Sequence, residues 1–283
     1  MKARNKTMKT IITLNWRLLL RALCTIPMGI AVLWAIPRNA HAQLYVSSVS
    51  YDAVYEYNAI TGGNVSTFGI GGVNNPNGLA LSANNLDLFV SNYGGTTVGE
   101  YSAITGAPIN ANFITGLSGP VGVAVSGNDL FVAKENANTV GEYNLTTGDP
   151  INANLITGLP APLGLAVSGN NLLVTNLGGT TVSEYNAATG DPINTSFIMG
   201  LSSPYGLAVS GNDLFVADAG NSRVGEYDVT TGGPINATFI GGFSAPVGLA
   251  VVSVVPEPSP WSMIAVGGVA LLGIMHRKKH RIA

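Results

Sequence analysis

One unit recurs along the middle of this chain, and its period limits the possible fold more than any other feature. The apolar triplet Leu-Phe-Val at 214–216 reappears as Leu-Leu-Val at 172, Leu-Phe-Val at 130 and 88, and Leu-Tyr-Val at 44. Three of the steps are 42 residues and the first is 44. A period of ~40–45 residues with several short apolar runs suits an array of small sheets. One four-stranded sheet cannot bury both faces alone, whereas sheets stacked around an axis bury them all and leave only short, protected edges.

Each unit carries four β-prone runs. In one copy they are 163–168, 172–176, 181–185 and 193–201. The connectors have turn chemistry. Ser-Gly-Asn-Asp or Ser-Gly-Asn-Asn (126–129, 168–171, 210–213) joins the first two runs, and its Gly and Asn accept positive φ. Thr-Gly closes the turn after the third run at 61–62, 105–106, 147–148, 189–190 and 231–232. Pro-x-Gly opens the first run at Pro76, Pro120, Pro162, Pro204 and Pro246, followed by small and apolar residues suited to a crowded axis. The fold expected is all-β: a β-propeller of five four-stranded blades of about 42 residues. The region starts with a second-run copy at Leu44 and ends with a first-run copy at 246–251. A closed ring therefore needs 246–251 to pair beside 44–46. An open arc, or pairing between two chains, is the alternative.

The ends differ from the middle. Eleven of the 13 basic residues lie before residue 43 or within the last seven positions, which leaves Lys134 and Arg223 between 43 and 254 against 14 acidic residues. Such a surface repels phosphate backbones and excludes nucleic acid as a partner class. Cys24, the three His and the three Trp also lie in the terminal segments. The middle therefore has no material for a Ser-His-Asp triad, a Cys nucleophile or a His-based zinc site. It has no glycine loop leading into Lys-Ser or Lys-Thr for phosphate. Residues 1–42 have a basic start, an apolar run at 26–36 and Ala40-His41-Ala42, the pattern that signal peptidase cuts after Ala42. Residues 255–283 hold Pro256-Glu257-Pro258, an apolar stretch from Trp261 to Met275 and a basic cluster from His276 to Arg281. The basic tail suits the cytoplasmic side of an inner membrane that the apolar stretch engages transiently. The reading is a signal peptide (1–42), a repeat domain (43–254) and a C-terminal transmembrane sorting segment (255–283).

Two resemblances rest on these residues. The C-terminal order and the Val-Pro-Glu-Pro spelling resemble the PEP-CTERM sorting signal of Gram-negative bacteria that make extracellular polysaccharide. That resemblance implies processing by an exosortase-type enzyme and delivery to the cell surface or extracellular matrix. Residues 204–210 and 216–228 resemble the NHL repeat, and 172–190 resemble the YVTN repeat; both are propeller repeats. The departure is Glu56, Glu100, Glu142, Glu184 and Glu226, where those families often carry an apolar residue.

An internal repeat separates architecture from function, because a single site must break the symmetry. The five Glu-Tyr pairs are shared by all copies and read as strand-end packing with solvated carboxylates. The position after the second run changes: Ser48, Asn92, Lys134, Asn176 and Asp218. The loops that follow differ too. The expected ligand-binding rim is Asn92, Tyr93, Lys134, Glu135, Asn176, Asp218 and Arg223, with Lys134–Glu135 and Asp218–Arg223 equally readable as surface ion pairs. Tyr93 and Tyr205, each unique to one copy, offer rings for a sugar or peptide, although core packing is the commoner use of such residues. No cofactor and no metal are expected; were Ca²⁺ bound, Asn92, Asn176 and Asp218 are its candidate oxygen donors. The function expected is non-catalytic binding or scaffolding outside the cytoplasm, with extracellular polysaccharide or a surface protein as partner. The alternative is a divalent-metal-dependent hydrolase of the gluconolactonase-like propeller class.

Overall fold

The computed structural model describes residues 43–48, 51–58 and 64–241, together with Pro246 and Leu249. The signal peptide (1–42), the sorting segment (255–283) and the pairing of 246–251 with 44–46 lie outside the described residues. Within them the chain is a β-propeller of five blades, each an antiparallel meander. The first blade comprises β1 (Gln43–Ser48), β2 (Ala53–Asn58) and β3 (Asn64–Ile70). The second is β4 (Pro76–Leu81), β5 (Asp87–Asn92), β6 (Thr97–Ser102) and β7 (Pro108–Ile114). The third is β8 (Pro120–Ser126), β9 (Asp129–Lys134), β10 (Thr139–Asn144) and β11 (Pro150–Thr157). The fourth is β12 (Pro162–Ser168), β13 (Asn171–Asn176), β14 (Val182–Asn186) and β15 (Pro192–Ile198). The fifth is β16 (Pro204–Ser210), β17 (Asp213–Asp218), β18 (Arg223–Asp228) and β19 (Pro234–Gly241).

In the second to fourth blades the second strand is apolar on both faces because both faces are covered. Leu88 and Val90 pack back onto Val54 and Ile70 of the first blade. Phe89, one residue out of phase, packs forward with Phe113 onto Leu130 and Val132 of the third. The same alternation joins the third blade to the fourth and the fourth to the fifth.

The Pro-x-Gly run is the innermost strand and carries a β-bulge. Pro76 pairs with Asn92 and Leu79 with Val90, so Asn77 and Gly78 together oppose Ser91; the same shift recurs in β8, β12 and β16. The glycine has a steric reason. A Cβ on Gly78 would lie 2.2 Å from the Val121 carbonyl oxygen, one on Gly122 2.1 Å from that of Leu163, and one on Gly164 2.1 Å from that of Tyr205. Each inner strand thus rests on the backbone of the next. In two blades a hydroxyl also satisfies the bulged amide and bridges the blades. Ser91 Oγ accepts from Gly78 N (2.7 Å) and donates to the Val121 carbonyl (2.6 Å). Thr175 does the same between Gly164 and Tyr205. At the far end, the Thr-Gly turns of the second to fifth blades dock on the preceding blade's outer strand, as Gly148 does against Phe113 and Gly190 against Leu155.

The outer strands are open edges that could template pairing with another chain. Those of the second to fifth blades are blunted the same way. Asn110, Asn152, Asn194 and Asn236 fold back so that Oδ1 accepts the amide two residues on, 3.1–3.2 Å away. A bulge follows between the third and fourth strands.

Gly122→Ala is expected to cost about 3 kcal/mol or more, because two backbones must separate to admit the methyl. Gly127→Ala lies in open space at φ 59° and should cost only ~1–2 kcal/mol. Urea unfolding of the two variants checks the contrast.

Candidate functional site

The loops after the second strands and the loops entering the inner strands meet at one end of the ring. Tyr93 N donates to the Asn75 carbonyl (3.1 Å), Glu135 N to that of Gly119 (2.8 Å) and Leu177 N to that of Ala161 (2.9 Å). Asn75, Gly119 and Ala161 all take positive φ, 52°, 60° and 51°, immediately before the proline of the inner strand. This turn aims the carbonyl at the neighbouring loop. The two residues that break the repeat most, Tyr93 and Glu135, are thereby anchored by their own amides with their side chains left half-exposed.

The four rim residues one position earlier point elsewhere. Asn92, Lys134, Asn176 and Asp218 are buried, with exposures of 4, 6, 7 and 0%. Asn92 Nδ2 donates to Thr97 Oγ1 (3.1 Å), while its Oδ1 and that of Asn176 have no partner among the described residues. Asp218 is fully engaged. Its Oδ1 accepts from Ser202 N (2.7 Å), and its Oδ2 accepts from Asn221 Nδ2 (2.8 Å) and Arg223 Nε (2.8 Å). The reading of Asp218–Arg223 as a surface pair is therefore corrected. It is a buried clamp that ties the loop entering β16 to the β17–β18 turn. Lys134 and Glu135 are not an ion pair either. The ammonium turns outward along its blade to the Ala153 carbonyl and to Asn154 Oδ1 (3.2 Å). Asn92, Asn176 and Asp218, the candidate Ca²⁺ donors, sit in three different blades, and Asn92 and Asp218 bond within their own. Among the described residues no group of three or more His, Cys, Asp or Glu could hold a metal ion.

What the fold does bring together is Tyr93, Glu135 and Tyr205, from the second, third and fifth blades. Burial raises the Tyr205 phenol above its ordinary pKa, and Glu135 and Tyr93 are close enough to raise it further. Tyr205 is the x of its Pro-x-Gly, where the second to fourth blades carry Asn77, Val121 and Leu163. Val121 and Leu163 are buried yet outside the four interblade clusters, whereas Tyr205 is half-exposed. The expected rim omitted Tyr205. Its signal was a ring standing where two other copies carry an aliphatic side chain. The arrangement presents two phenols and a carboxylate at one mouth: hydrogen-bond donors, acceptors and flat faces.

At the opposite end three of the five repeated glutamates are buried, which corrects the second expectation for those copies, while Glu100 and Glu226 are half-buried. Glu56, Glu142 and Glu184 are 4, 8 and 6% exposed, and the tyrosines beside Glu100, Glu142, Glu184 and Glu226 are buried as packing elements. Desolvation, and then the charge of Asp129, raise the pKa of Glu142; desolvation and Asp87 do the same to Glu100. In the fourth blade Asn171 replaces the aspartate, and its Nδ2 donates to Glu184 Oε1 (2.7 Å).

No family model matches the chain, and no curated protein matches it. Solved structures match by fold. A nidogen/laminin complex aligns with a TM-score of 0.62 at 16% identity, over 75% of this chain and 82% of that one. A streptogramin B lyase aligns with a TM-score of 0.53 at 14% identity, over 75% and 70%. At these identities the likeness shows the propeller fold and nothing of chemistry.

Asp218→Ala should cost about 3 kcal/mol or more, since it strands the Arg223 guanidinium and the Ser202 amide; chemical denaturation measures it. Asp129→Asn, which copies the fourth blade, should stabilise the fold at pH 7 by roughly 0.5 kcal/mol, the scale of a cross-strand pair. Because Glu142 has a raised pKa, the folded parent binds more protons than the unfolded chain between the ordinary and raised values. The parent therefore gains stability as pH falls through that window. The advantage of Asp129→Asn should shrink there, and urea midpoints at pH 7 and pH 4.5 test the sign.

Proposed function

We propose that this chain is an exported propeller that binds a partner non-catalytically at the mouth formed by Tyr93, Glu135 and Tyr205. The observation that carries the reading is their convergence from three blades at positions where the repeat is broken. Everything the copies share serves packing or turns, so the residues that differ and stay accessible are the ones free to recognise something. Two phenols with a carboxylate suit a hydroxyl-rich, uncharged partner. Ring faces cover the sugar faces, and the carboxylate accepts sugar hydroxyls. A strand of extracellular polysaccharide meets this description; a surface protein is the competing partner.

The terminal segments support the address. Residues 1–42 would direct export and be cut after Ala42. Pro256, Glu257 and Pro258, with the apolar stretch and basic tail, would hold the domain at the inner membrane until an exosortase-type enzyme releases it to the surface.

The test is affinity electrophoresis of the purified chain through gels cast with the polysaccharide of the producing cells. Tyr205→Ala and Tyr93→Ala should each weaken retardation about tenfold, equivalent to ~1.4 kcal/mol, with the thermal midpoint unchanged within a few degrees. Tyr205→Phe should lose less, because it keeps the ring. Retardation that survives both alanine changes would move the binding surface away from this mouth.

A further inference from the structure

A cavity on the flank of the ring stands apart from that mouth. Between the second and third blades is a cavity of about 580 Å³, bounded by Phe113 and Thr115 on one side and by Lys134, Tyr143, Asp149 and Asn154 on the other. A bulge shapes one of its walls. In the third blade Val140 pairs with Ile156 and Glu142 with Asn152, so three residues of β11 oppose the single Gly141 of β10. The bulge releases the Ala153 carbonyl from the ladder. In the fourth blade the same gap is closed locally, where Ser183 stands in place of Gly141 and its Oγ donates to the Thr195 carbonyl (2.9 Å). In the third blade Gly141 has no hydroxyl of its own and the Tyr143 ring lies against it, as the Tyr101 and Tyr227 rings lie against Gly99 and Gly225 in the second and fifth. The Lys134 side chain extends into the gap instead, and its ammonium donates to the Ala153 carbonyl and to Asn154 Oδ1.

That solution leaves a charge in an unusual state. Lys134 is 6% exposed, and no carboxylate lies within ion-pair distance of it among the described residues. Two neutral acceptors use two of its three N–H donors. A buried cation without a counter-ion is costly, and an anion entering the cavity would find it desolvated and pre-positioned. The other blades have no cation at this position, where Asn92, Asn176 and Asp218 stand, so the site is unique on the ring. Burial lowers the Lys134 pKa, in keeping with the missing partner.

We infer that the cavity between the second and third blades binds a single hexuronate unit, its carboxylate on the Lys134 ammonium and its hydroxyls toward Asp149 and Asn154. The rest of the lining selects within the anions. Asp149 is exposed at the other end and would repel a second negative charge, while its oxygens accept sugar hydroxyls. Phe113 and Tyr143 give the ring an apolar wall, which inorganic anions cannot use. This site is separate from the mouth and does not depend on what binds there.

Isothermal titration of the purified full chain with glucuronate, glucose and acetate decides it. Glucuronate should bind, with glucose and acetate at least tenfold weaker, because each supplies only half of the contacts. Lys134→Met should weaken glucuronate at least tenfold. That substitution also removes the donor to Ala153, so Thr115→Trp, which blocks the cavity from an exposed position, should give the same loss without touching the core. Tyr205→Ala should leave glucuronate affinity unchanged. Four outcomes would each overturn the assignment: no glucuronate binding at millimolar concentration, glucose or acetate binding as tightly, full affinity in Thr115→Trp, or loss in Tyr205→Ala.

Discussion

The structure depends on how closely the inner strands approach one another. At Gly78, Gly122 and Gly164 one backbone lies where a neighbour's Cβ would be, so the blades meet at the axis with almost no side-chain material between them. Sheets packed that tightly at the centre must diverge outward, and the gap to be filled grows with radius. The filling follows that gradient. The inner run carries Leu, Ala and Val, the second strand Leu and Phe, and the outer strands Phe113, Leu155 and Phe197. The Thr-Gly turns then close the periphery by docking on the preceding blade. The glycine contact at the centre and the aromatic residues at the rim are two consequences of one geometry.

A repeat that solves this packing problem five times leaves few positions free. The pair flanking the second turn shows how the freedom is used. Asn92 with Thr97 is a neutral hydrogen bond, Asp218 with Arg223 a buried ion pair, and Lys134 abandons its opposite number for the outer strand. The first two hold the turn in place, and the third braces the outer strand instead. Their variety is a set of alternative structural solutions, and it only resembles functional diversity. The residue just beyond the turn is different. Tyr93 and Glu135 are fixed through the backbone alone, so their side chains owe nothing to the fold.

The excess of acidic residues is also distributed by the architecture. Asp87 and Asp129 repeat beside glutamates on the third strand because the hairpin chemistry wants Asp or Asn at that point, and the blade register brings the two carboxylates to one face. The fourth blade, with Asn171, shows the relaxed version of the same contact. The acidic composition is therefore partly built into the interior edge of the ring, and reading all of it as solvated surface overlooks how far the strands bury it.

The period, the turns and the double-faced apolar strands made the propeller and its five blades legible in the sequence. Each is a local consequence of chain geometry: alternation of two, positive φ at Gly or Asn, and too little sheet per unit to bury alone. The direction of a side chain at a strand end is not local. Asn92, Lys134 and Asp218 occupy a polar, variable position that reads as a rim, yet bulges one strand away turn the lysine outward and a loop amide captures the aspartate. Nor could spacing reveal that Tyr205 shares a mouth with residues 70 and 112 positions earlier, because that neighbourhood exists only once the ring curves. The cavity beside Lys134 likewise takes its walls from two successive blades, so no single repeat unit announces it. The sequence by itself determined the repeating framework, because each blade's own strands and turns specify it; the tertiary structure alone decided which irregular residues face one another, because only the packing of the five sheets sets those distances.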